Sequence, residues 1–189
     1  MTFVEVTVRS LPHLLLGAAV FYAVIGRVDD TPQRKAALFL LGALLGLSPD
    51  FTKAFGDIAL HSLLSVPVVA PLYALLLRLL VRNVRLPKLT AAAAAAIVFG
   101  HLLVDAAGNG NALLYPLTDY EFSLWLLNRH EAELSLVFGA GLLAAALSKK
   151  GRTIAAGMVG VMLLWIAREA GMQEMKLISL MINEVKRIL

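Results

Sequence analysis

The sequence feature that most constrains the fold is an apolar segment that ends in ionisable residues. Residues 91–104 are strongly apolar and begin with six consecutive alanines. His101 and Asp105 are four positions apart, so on a helix both side chains lie on one face. An imidazole and a carboxylate on one face form half of a usual divalent-metal site. The alternative is a His–Asp hydrogen bond that only ties helices together. Because ionisable groups are costly in membrane segments, a functional role is favoured.

The composition indicates a membrane protein. Of 189 residues, 59% are hydrophobic and 16% are charged, whereas a soluble domain has about 45–50% apolar and about 25% charged residues. The net charge of +4 does not indicate nucleic-acid binding, because the basic residues form short clusters between apolar segments and no nucleic-acid motif is present. Cysteine is absent, which excludes disulfides, a thiol nucleophile and cysteine-ligated metal. The N-terminus makes a poor signal peptide, which predicts a retained first span.

The apolar segments predict an all-α, polytopic transmembrane helix bundle that forms one domain over residues 1–189. Pro49 predicts that the second span ends there, with Asp50 at or just beyond the helix end. Pro67 and Pro71 predict kinks in the third span, with His61 in its first turn. Several spans are shorter than the ~20 residues of a full crossing, which leaves room for a re-entrant segment. About six spans are predicted, at residues 11–26, 36–49, 58–81, 89–106, 134–148 and 152–167. An amphipathic helix is predicted at 172–189, either on the membrane surface or packed on the bundle.

The charge of the connectors predicts the topology. Most of the basic residues follow spans one, three and five: Arg27, Arg34, Lys35, Arg78, Arg82, Arg85, Lys88, Lys149, Lys150 and Arg152. The positive-inside rule places these connectors in the cytoplasm and both termini outside. Five polar residues then fall together at the outer membrane face, although they were not used to set the topology. We name them the His/Asp cluster: His13, Asp50, His61, His101 and Asp105. Their coincidence at one face favours a metal site over separate packing roles.

Four short motifs follow one another between residues 11 and 117. They are Pro12-His13-Leu14-Leu15-Leu16-Gly17, residues 42–50 ending in Ser48-Pro49-Asp50, Leu60-His61-Ser62, and Gly100-His101-Leu102-Leu103-Val104-Asp105 with Gly110 and Pro116 beyond. In this order and spacing they resemble the motifs of the LexA-binding, inner-membrane-associated, metal-dependent hydrolases. The resemblance implies a multi-span bacterial inner-membrane protein with a divalent-metal hydrolase site. It also implies metal-ligand roles for the His/Asp cluster, but it fixes no substrate.

The sequence departs from this family pattern at two points. A second acidic residue often follows the proline–aspartate pair, but here Phe51-Thr52-Lys53 supplies none. An arginine commonly precedes the histidine–serine motif, but residues 55–60 contain none. Asp57 is the residue that could compensate, as a ligand or as a base. Because arginine is the natural partner of a phosphate oxygen, its absence counts against a phosphoester substrate.

The function predicted first is an integral-membrane, metal-dependent hydrolase that acts on a membrane lipid or a lipid-linked phosphoester. Three histidines and two carboxylates fit zinc, with manganese or iron as alternatives. The metal would lower the pKa of bound water to near ~7, and Asp57 is the candidate general base. The polar segment 108–133 is a candidate cover, through Asp119, Glu121, Arg129 and His130, although His130 suits an ordinary solvated position equally well. Trp125, Tyr115 and Tyr120 suit the membrane–water interface.

Two other functions remain open on the sequence. A metal or proton transporter could use the same cluster, but the inner halves of the spans are almost wholly apolar. A non-catalytic membrane scaffold would use the histidines for packing and hydrogen bonding alone. The sequence leaves the metal, the number of ions, the substrate and the oligomeric state open.

Overall fold

The computed structural model describes residues 3–27, 30–53, 58–127 and 131–188, and this part of the chain is all-α. The β-structure in this part of the chain is one isolated antiparallel bridge, between Asn111 and Phe122. A 3₁₀ turn covers Ala59–His61, and a π-helical turn, Val98–Leu102, joins the helix Leu86–Ile97 directly to the helix Leu103–Ala107. The helices are α1 (Phe3–Ile25), α2 (Pro32–Lys53), α3 (Val66–Leu80), α4 (Leu86–Ile97), α5 (Leu103–Ala107), α6 (Glu131–Leu147) and α7 (Gly151–Ile188). The predicted fold class is therefore confirmed as all-helical.

Helix α1 is the centre of the bundle. It packs against α2, α4, α6 and α7, while α3 packs on α4. Residues 12–26 are buried or half-buried without interruption. Their side chains are apolar around the whole helix, which is the pattern of a helix enclosed by neighbours. Phe21 and Tyr22 are fully buried, and the Tyr22 ring meets Phe39 of α2 edge-on at a centroid distance of 4.7 Å.

Four glycines bring three backbone segments into direct contact. A Cβ on Gly17 of α1 would lie 2.7 Å from the Gly42 carbonyl oxygen and 2.8 Å from the Gly46 Cα, both on α2. A Cβ on Gly100, in the π-helical turn, would lie 2.6 Å from the Gly17 Cα. Small residues permit this approach because no side chain separates the backbones. The contact fixes how α1, α2 and the π-helical turn meet.

The structure differs from the sequence prediction in where α2 ends and where α3 begins, and in what two of the prolines do. Pro49 lies inside α2, which continues to Lys53, so Asp50 is a helical residue and the prediction of a helix end there is wrong. Helix α3 begins at Val66 and not near residue 58, so His61 lies in the 3₁₀ turn that precedes the helix. Pro67 falls in the first turn of α3, where a missing N–H leaves no carbonyl unpaired. It therefore begins a helix where a kink was predicted.

The C-terminal part of the chain is one continuous helix of 38 residues, α7. The predicted break between a sixth span at 152–167 and a separate helix at 172–189 is therefore wrong, because one helix covers both segments. Nothing lies within 4 Å of a Cβ placed on Gly171, the residue between the two predicted segments. Since a single glycine is tolerated within a helix, it does not end α7. Most side chains beyond residue 175 lie outside the described part, so the amphipathic face stays a prediction.

Among the residues that the structure describes, two helical segments are long and apolar enough to cross a membrane by length and composition. They are Leu86–Ala107, with 22 residues and a mean hydropathy of 1.8, and Gly151–Met175, with 25 residues and a mean hydropathy of 1.4. Ser10–Ile25, Val66–Leu80 and Ala132–Leu147 are apolar but shorter. Many large apolar side chains on these helices are exposed, as on a lipid-facing surface. The arrangement of six spans stays a prediction.

The end of the bundle opposite the His/Asp cluster is held by basic residues. The buried Lys35 Nζ donates hydrogen bonds to the carbonyl oxygens of Ala145, Ala146 and Ser148, at 3.3, 3.1 and 2.6 Å. Arg152 Nε donates to the Ala23 carbonyl at 2.7 Å. These carbonyls lie at helix C-termini, where cations are favourable. The contacts tie α1, α2, α6 and α7 together at this basic end.

Substitution of Gly17 tests the backbone contact. Gly17→Ala should lower the free energy of unfolding by about 1–3 kcal/mol, because the added methyl group overpacks a backbone–backbone contact. Gly160→Ala is the matched control, since nothing lies within 4 Å of a Cβ at that position of α7. It should leave stability unchanged or raise it by up to about 1 kcal/mol. Thermal unfolding of the detergent-purified variants measures both, and equal transition temperatures would contradict the tight contact.

Candidate metal centre

All five residues of the His/Asp cluster converge at one end of the bundle, although five different elements carry them. His13 comes from α1, Asp50 from α2, His61 from the 3₁₀ turn, His101 from the π-helical turn and Asp105 from α5. Asp105 lies close to all three histidines. Its Oδ1 is 3.3 Å from His13 Nε2, and its Oδ2 is 3.2 Å from His101 Nε2 and 3.9 Å from His61 Nε2. Asp50 Oδ1 lies 3.3 Å from His61 Nε2 and 3.8 Å from His101 Nε2. The structure thus brings together the residues that the sequence analysis selected.

His101 lies in the middle of the cluster. Its ring centroid is 4.4 Å from that of His13 and 5.0 Å from that of His61. Two groups of three residues have potential ligand atoms within 4.8 Å of one another, namely His13 with His101 and Asp105, and Asp50 with His61 and His101. His101 belongs to both groups. The two groups therefore overlap and form one polar site with a shared imidazole.

The cluster is buried except on one side. His13, His61, His101 and Asp105 are all buried, whereas the Asp50 side chain is 29% exposed. A buried carboxylate needs compensation by opposite charge or by hydrogen bonds, because its desolvation is costly. Within the cluster the partners of Asp105 are imidazoles. Asp50 is consequently the member of the cluster that is most accessible from outside the protein.

The π-helical turn sets the position of His101. A π-helical turn adds a residue to the helix, and such turns are frequent at functional sites. Here it places the Gly100 backbone against Gly17 of α1, and it directs the His101 ring towards α2. His101 Nδ1 lies 2.8 Å from the carbonyl oxygen of Gly46. The glycine contact and the imidazole orientation are therefore parts of one local arrangement.

The contact with Gly46 determines which ring nitrogen of His101 carries hydrogen. A carbonyl oxygen only accepts, so Nδ1 must be protonated and must donate. In the neutral ring, Nε2 then presents a lone pair towards the oxygens of Asp105 and Asp50. Within the described part of the chain, Nε2 forms no hydrogen bond. A lone pair that faces two carboxylates is repulsive unless a cation lies between them.

A loop after α5 packs against the elements that carry the cluster, and it is held by residues to which the sequence analysis gave no role. Ser62 Oγ contacts the carbonyl oxygens of Leu113 and Tyr115 at 3.0 and 2.6 Å. Asn111 Nδ2 donates to the Leu102 carbonyl at 3.0 Å. The Gly110 amide donates to the Asp105 carbonyl at 2.7 Å, and Gly110 has a φ of +98°, which favours glycine. The sequence Asn109-Gly110-Asn111 is typical of a turn, but it does not reveal these contacts.

The remaining residues that the sequence analysis named do not join the cluster in the described structure. Asp119 and Glu121 are exposed on the loop after α5. Tyr120 and Trp125 are exposed as well, in keeping with the predicted position at a membrane–water interface, while Tyr115 is half-buried. Asp57, Arg129 and His130 lie outside the described residues, so their roles stay predictions.

Removal of the Ser62 hydroxyl tests whether this loop supports the site. Ser62→Ala should lower the free energy of unfolding by about 0.5–1.5 kcal/mol, since it removes the hydrogen bond of the hydroxyl to the half-buried loop carbonyls. Hydrogen exchange of residues 110–117 should become faster. Thr90→Ala is the control, because the Thr90 hydroxyl bonds only within its own helix, to the Leu86 carbonyl. Unchanged exchange in the loop of Ser62→Ala would show that other contacts hold it.

A comparison of the chain with known proteins finds a matching family. The family described as the YdjM inner membrane protein matches residues 9–175, which include the whole His/Asp cluster and parts of all seven helices. No curated protein and no solved structure matches this chain. The match supports inner-membrane character, and it does not extend to LexA binding or to hydrolysis. Because the match covers most of the chain, the protein belongs to the YdjM inner membrane protein family.

Proposed function

We propose that this protein is a multi-pass inner-membrane protein whose His/Asp cluster binds a divalent metal ion and serves metal-dependent hydrolysis. The single observation that carries the proposal is His101, whose Nδ1 donates to the Gly46 carbonyl while its Nε2 faces Asp105 and Asp50. This is the usual support of a metal-binding histidine, in which a carbonyl partner at one nitrogen orients the other nitrogen as a ligand.

The charge of the cluster fits a divalent cation. With all three imidazoles neutral, which is the form in which histidine binds a metal, the two carboxylates give the cluster a net charge of about −2. Four of the five side chains are buried, so bulk water compensates little of that charge. A buried carboxylate such as Asp105, with a second carboxylate nearby and no counter-ion, is strongly unfavourable. One divalent ion would neutralise both carboxylates at once.

The donor types restrict the metal. Nitrogen and oxygen donors without sulfur suit zinc, and they also suit manganese or iron. The two overlapping groups around His101 provide donors for one ion or for two. When bound, the metal would supply an acidified water molecule and would polarise the bond to be broken. The chain itself would supply the donors, their orientation through Gly46 and an enclosure that limits water.

The rival functions have less support from the described residues. A transporter needs polar groups that continue from the cluster towards the basic end, but the interior of α1 between them contains Leu16, Ala19, Val20 and Phe21. In a scaffold, His101 Nε2 would have to carry a proton in order to bridge the two carboxylates. A scaffold role also does not explain why three imidazoles surround the same two carboxylates.

The hydrolase proposal also includes a site at the outer membrane face, both termini outside, and a lipid or lipid-linked substrate.

Elemental analysis tests metal binding directly. Detergent-purified wild-type protein should contain zinc, manganese or iron in near-stoichiometric amount. His101→Ala and Asp105→Ala should lose it, because each removes a donor at the centre of the cluster. His130→Ala is the matched control, since the sequence holds four histidines and His130 is the one outside the proposed donor set. It should keep the metal.

A stability measurement on the same samples separates lost metal from lost fold. Added metal at a hundred times its dissociation constant should stabilise the stripped wild-type protein by about 2.7 kcal/mol. The Asp105→Ala protein should show no such gain. A wild-type protein that contains no metal and takes up none, with both variants folded, would overturn the proposal in favour of a scaffold.

The role of Asp57 needs a separate test. If Asp57 is the general base, Asp57→Asn should retain the metal but lower kcat for hydrolysis of a lipid phosphoester by roughly 10²–10⁴-fold. If Asp57 is a ligand, the variant should instead lose metal. Unchanged metal content and unchanged kcat together would exclude both roles.

A further inference from the structure

Helices α2 and α3 flank a groove on the surface of the bundle. Helix α2 packs on α1 and α3 packs on α4, whereas α2 and α3 pack little against each other. The space between them holds two cavities of about 600 and 310 Å³. Leu41 of α2 and Leu80 of α3 line both cavities, so the two cavities adjoin. We call them together the α2–α3 groove.

The lining of the groove suits a hydrocarbon chain. The buried side chains of Leu38, Leu45 and Leu77 line it on the side of the protein interior. Leu40 and Leu80 are exposed along it. An exposed apolar surface of this kind marks a contact with lipid or with another apolar partner.

The charged residues of the groove lining are basic and lie at one end. Arg34 comes from the first turn of α2, and Arg82 follows the end of α3, next to Asn83. The smaller cavity extends from Leu41 towards Phe51, and its lining contains no charged residue among those that the structure describes. The groove therefore has a basic end and an apolar remainder.

Arg82 is available to bind a ligand at this basic end. Its side chain is exposed, and it forms no hydrogen bond or ion pair within the described part of the chain. The neighbouring basic residues Lys35, Arg78 and Arg152 instead donate to backbone carbonyl oxygens. Arg82 thus adds a positive charge to the groove that the described residues do not compensate.

Arg34 provides a second guanidinium group in the same lining. Its Nε lies 2.5 Å from Asp30 Oδ1, but its Nη2 is buried and has no hydrogen-bond partner among the described residues. A buried donor without an acceptor is costly. A phosphate oxygen would satisfy it, because guanidinium groups bind phosphate through paired hydrogen bonds. Asp30 compensates one of the two arginine charges, so the basic end of the groove remains positive.

The length of the groove fits a lipid of one leaflet. Arg34 and Leu45 are eleven positions apart on α2, which corresponds to about 16 Å along the helix axis. This is about half of the ~30 Å hydrocarbon core of a bilayer. Asp50 is sixteen positions from Arg34, or about 24 Å along the axis. A phosphate at the basic end is therefore remote from the His/Asp cluster.

We propose that the α2–α3 groove binds an anionic phospholipid, with the phosphate at Arg34 and Arg82 and an acyl chain along the leucines. Basic pockets between helices on the cytoplasmic side of a membrane are typical sites for anionic headgroups, and the predicted topology places this end in the cytoplasm. The lipid bridges α2 and α3, which pack little against each other. It is a bound ligand and not a substrate, so the inference is independent of the proposed function.

Native mass spectrometry of the full-length, detergent-purified protein tests the headgroup. The protein is titrated with phosphatidylglycerol and, separately, with phosphatidylethanolamine of the same acyl chains. Phosphatidylglycerol should bind more tightly, and Arg82→Gln should weaken its binding roughly tenfold, because a charged hydrogen bond is lost. Arg82→Lys should keep the preference for phosphatidylglycerol, because it keeps the charge.

Arg85→Gln is the matched control for the charge. Arg85 is exposed and close to Arg82 in sequence, but it lines neither cavity. Its substitution should change the affinity for phosphatidylglycerol by about twofold or less, since exposed charges are screened by salt. Equal binding of the two lipids to the wild-type protein, or equal losses in Arg82→Gln and Arg85→Gln, would overturn the inference.

Blocking the groove tests the position of the acyl chain. Leu41→Trp fills the point where the two cavities meet and leaves both arginines in place. It should lose most phosphatidylglycerol binding, whereas Leu164→Trp, at a site on α7 that is 72% exposed and outside the groove, should keep it. Retained binding in a folded Leu41→Trp protein would contradict the proposed position.

Thermal unfolding and metal content of the same samples complete the test. Phosphatidylglycerol should raise the unfolding temperature of the wild-type protein more than that of Arg82→Gln, because it bridges α2 and α3. Arg82→Gln should keep the wild-type metal content, since Arg82 lies at the end opposite the cluster. A wild-type protein that binds phosphatidylglycerol but no metal would overturn the proposed function and support the lipid site. Metal binding without a lipid preference would do the reverse.

Discussion

The backbone contact among α1, α2 and the π-helical turn is the interaction on which the rest of the structure depends. Gly17, Gly46 and Gly100 allow these segments to touch without intervening side chains. The same approach lets the Gly46 carbonyl accept the Nδ1 hydrogen of His101. A side chain at any of these glycines would separate the segments, so the fold and the cluster geometry have a common origin.

The cluster gathers negative charge in a place where the protein supplies little else to balance it. Asp105 is buried among three imidazoles, and the imidazole at the centre has one nitrogen committed to a backbone carbonyl. Such an arrangement fits the divalent cation that we propose for this site. The opposite end of the bundle differs, because there the Lys35 ammonium group donates hydrogen bonds to helix carbonyl oxygens.

The sequence by itself determined the helical class, the membrane character and the five residues of the cluster, because apolar segments and the ionisable groups among them can be read directly from the sequence. His101 and Asp105 were recognisable from helical spacing alone. Only the tertiary structure decided that Pro49 lies within α2, that His61 precedes α3 and that α7 is continuous. It also decided the roles of Gly46, Ser62 and Asn111, because these act through backbone groups distant in sequence, and such contacts leave no local pattern.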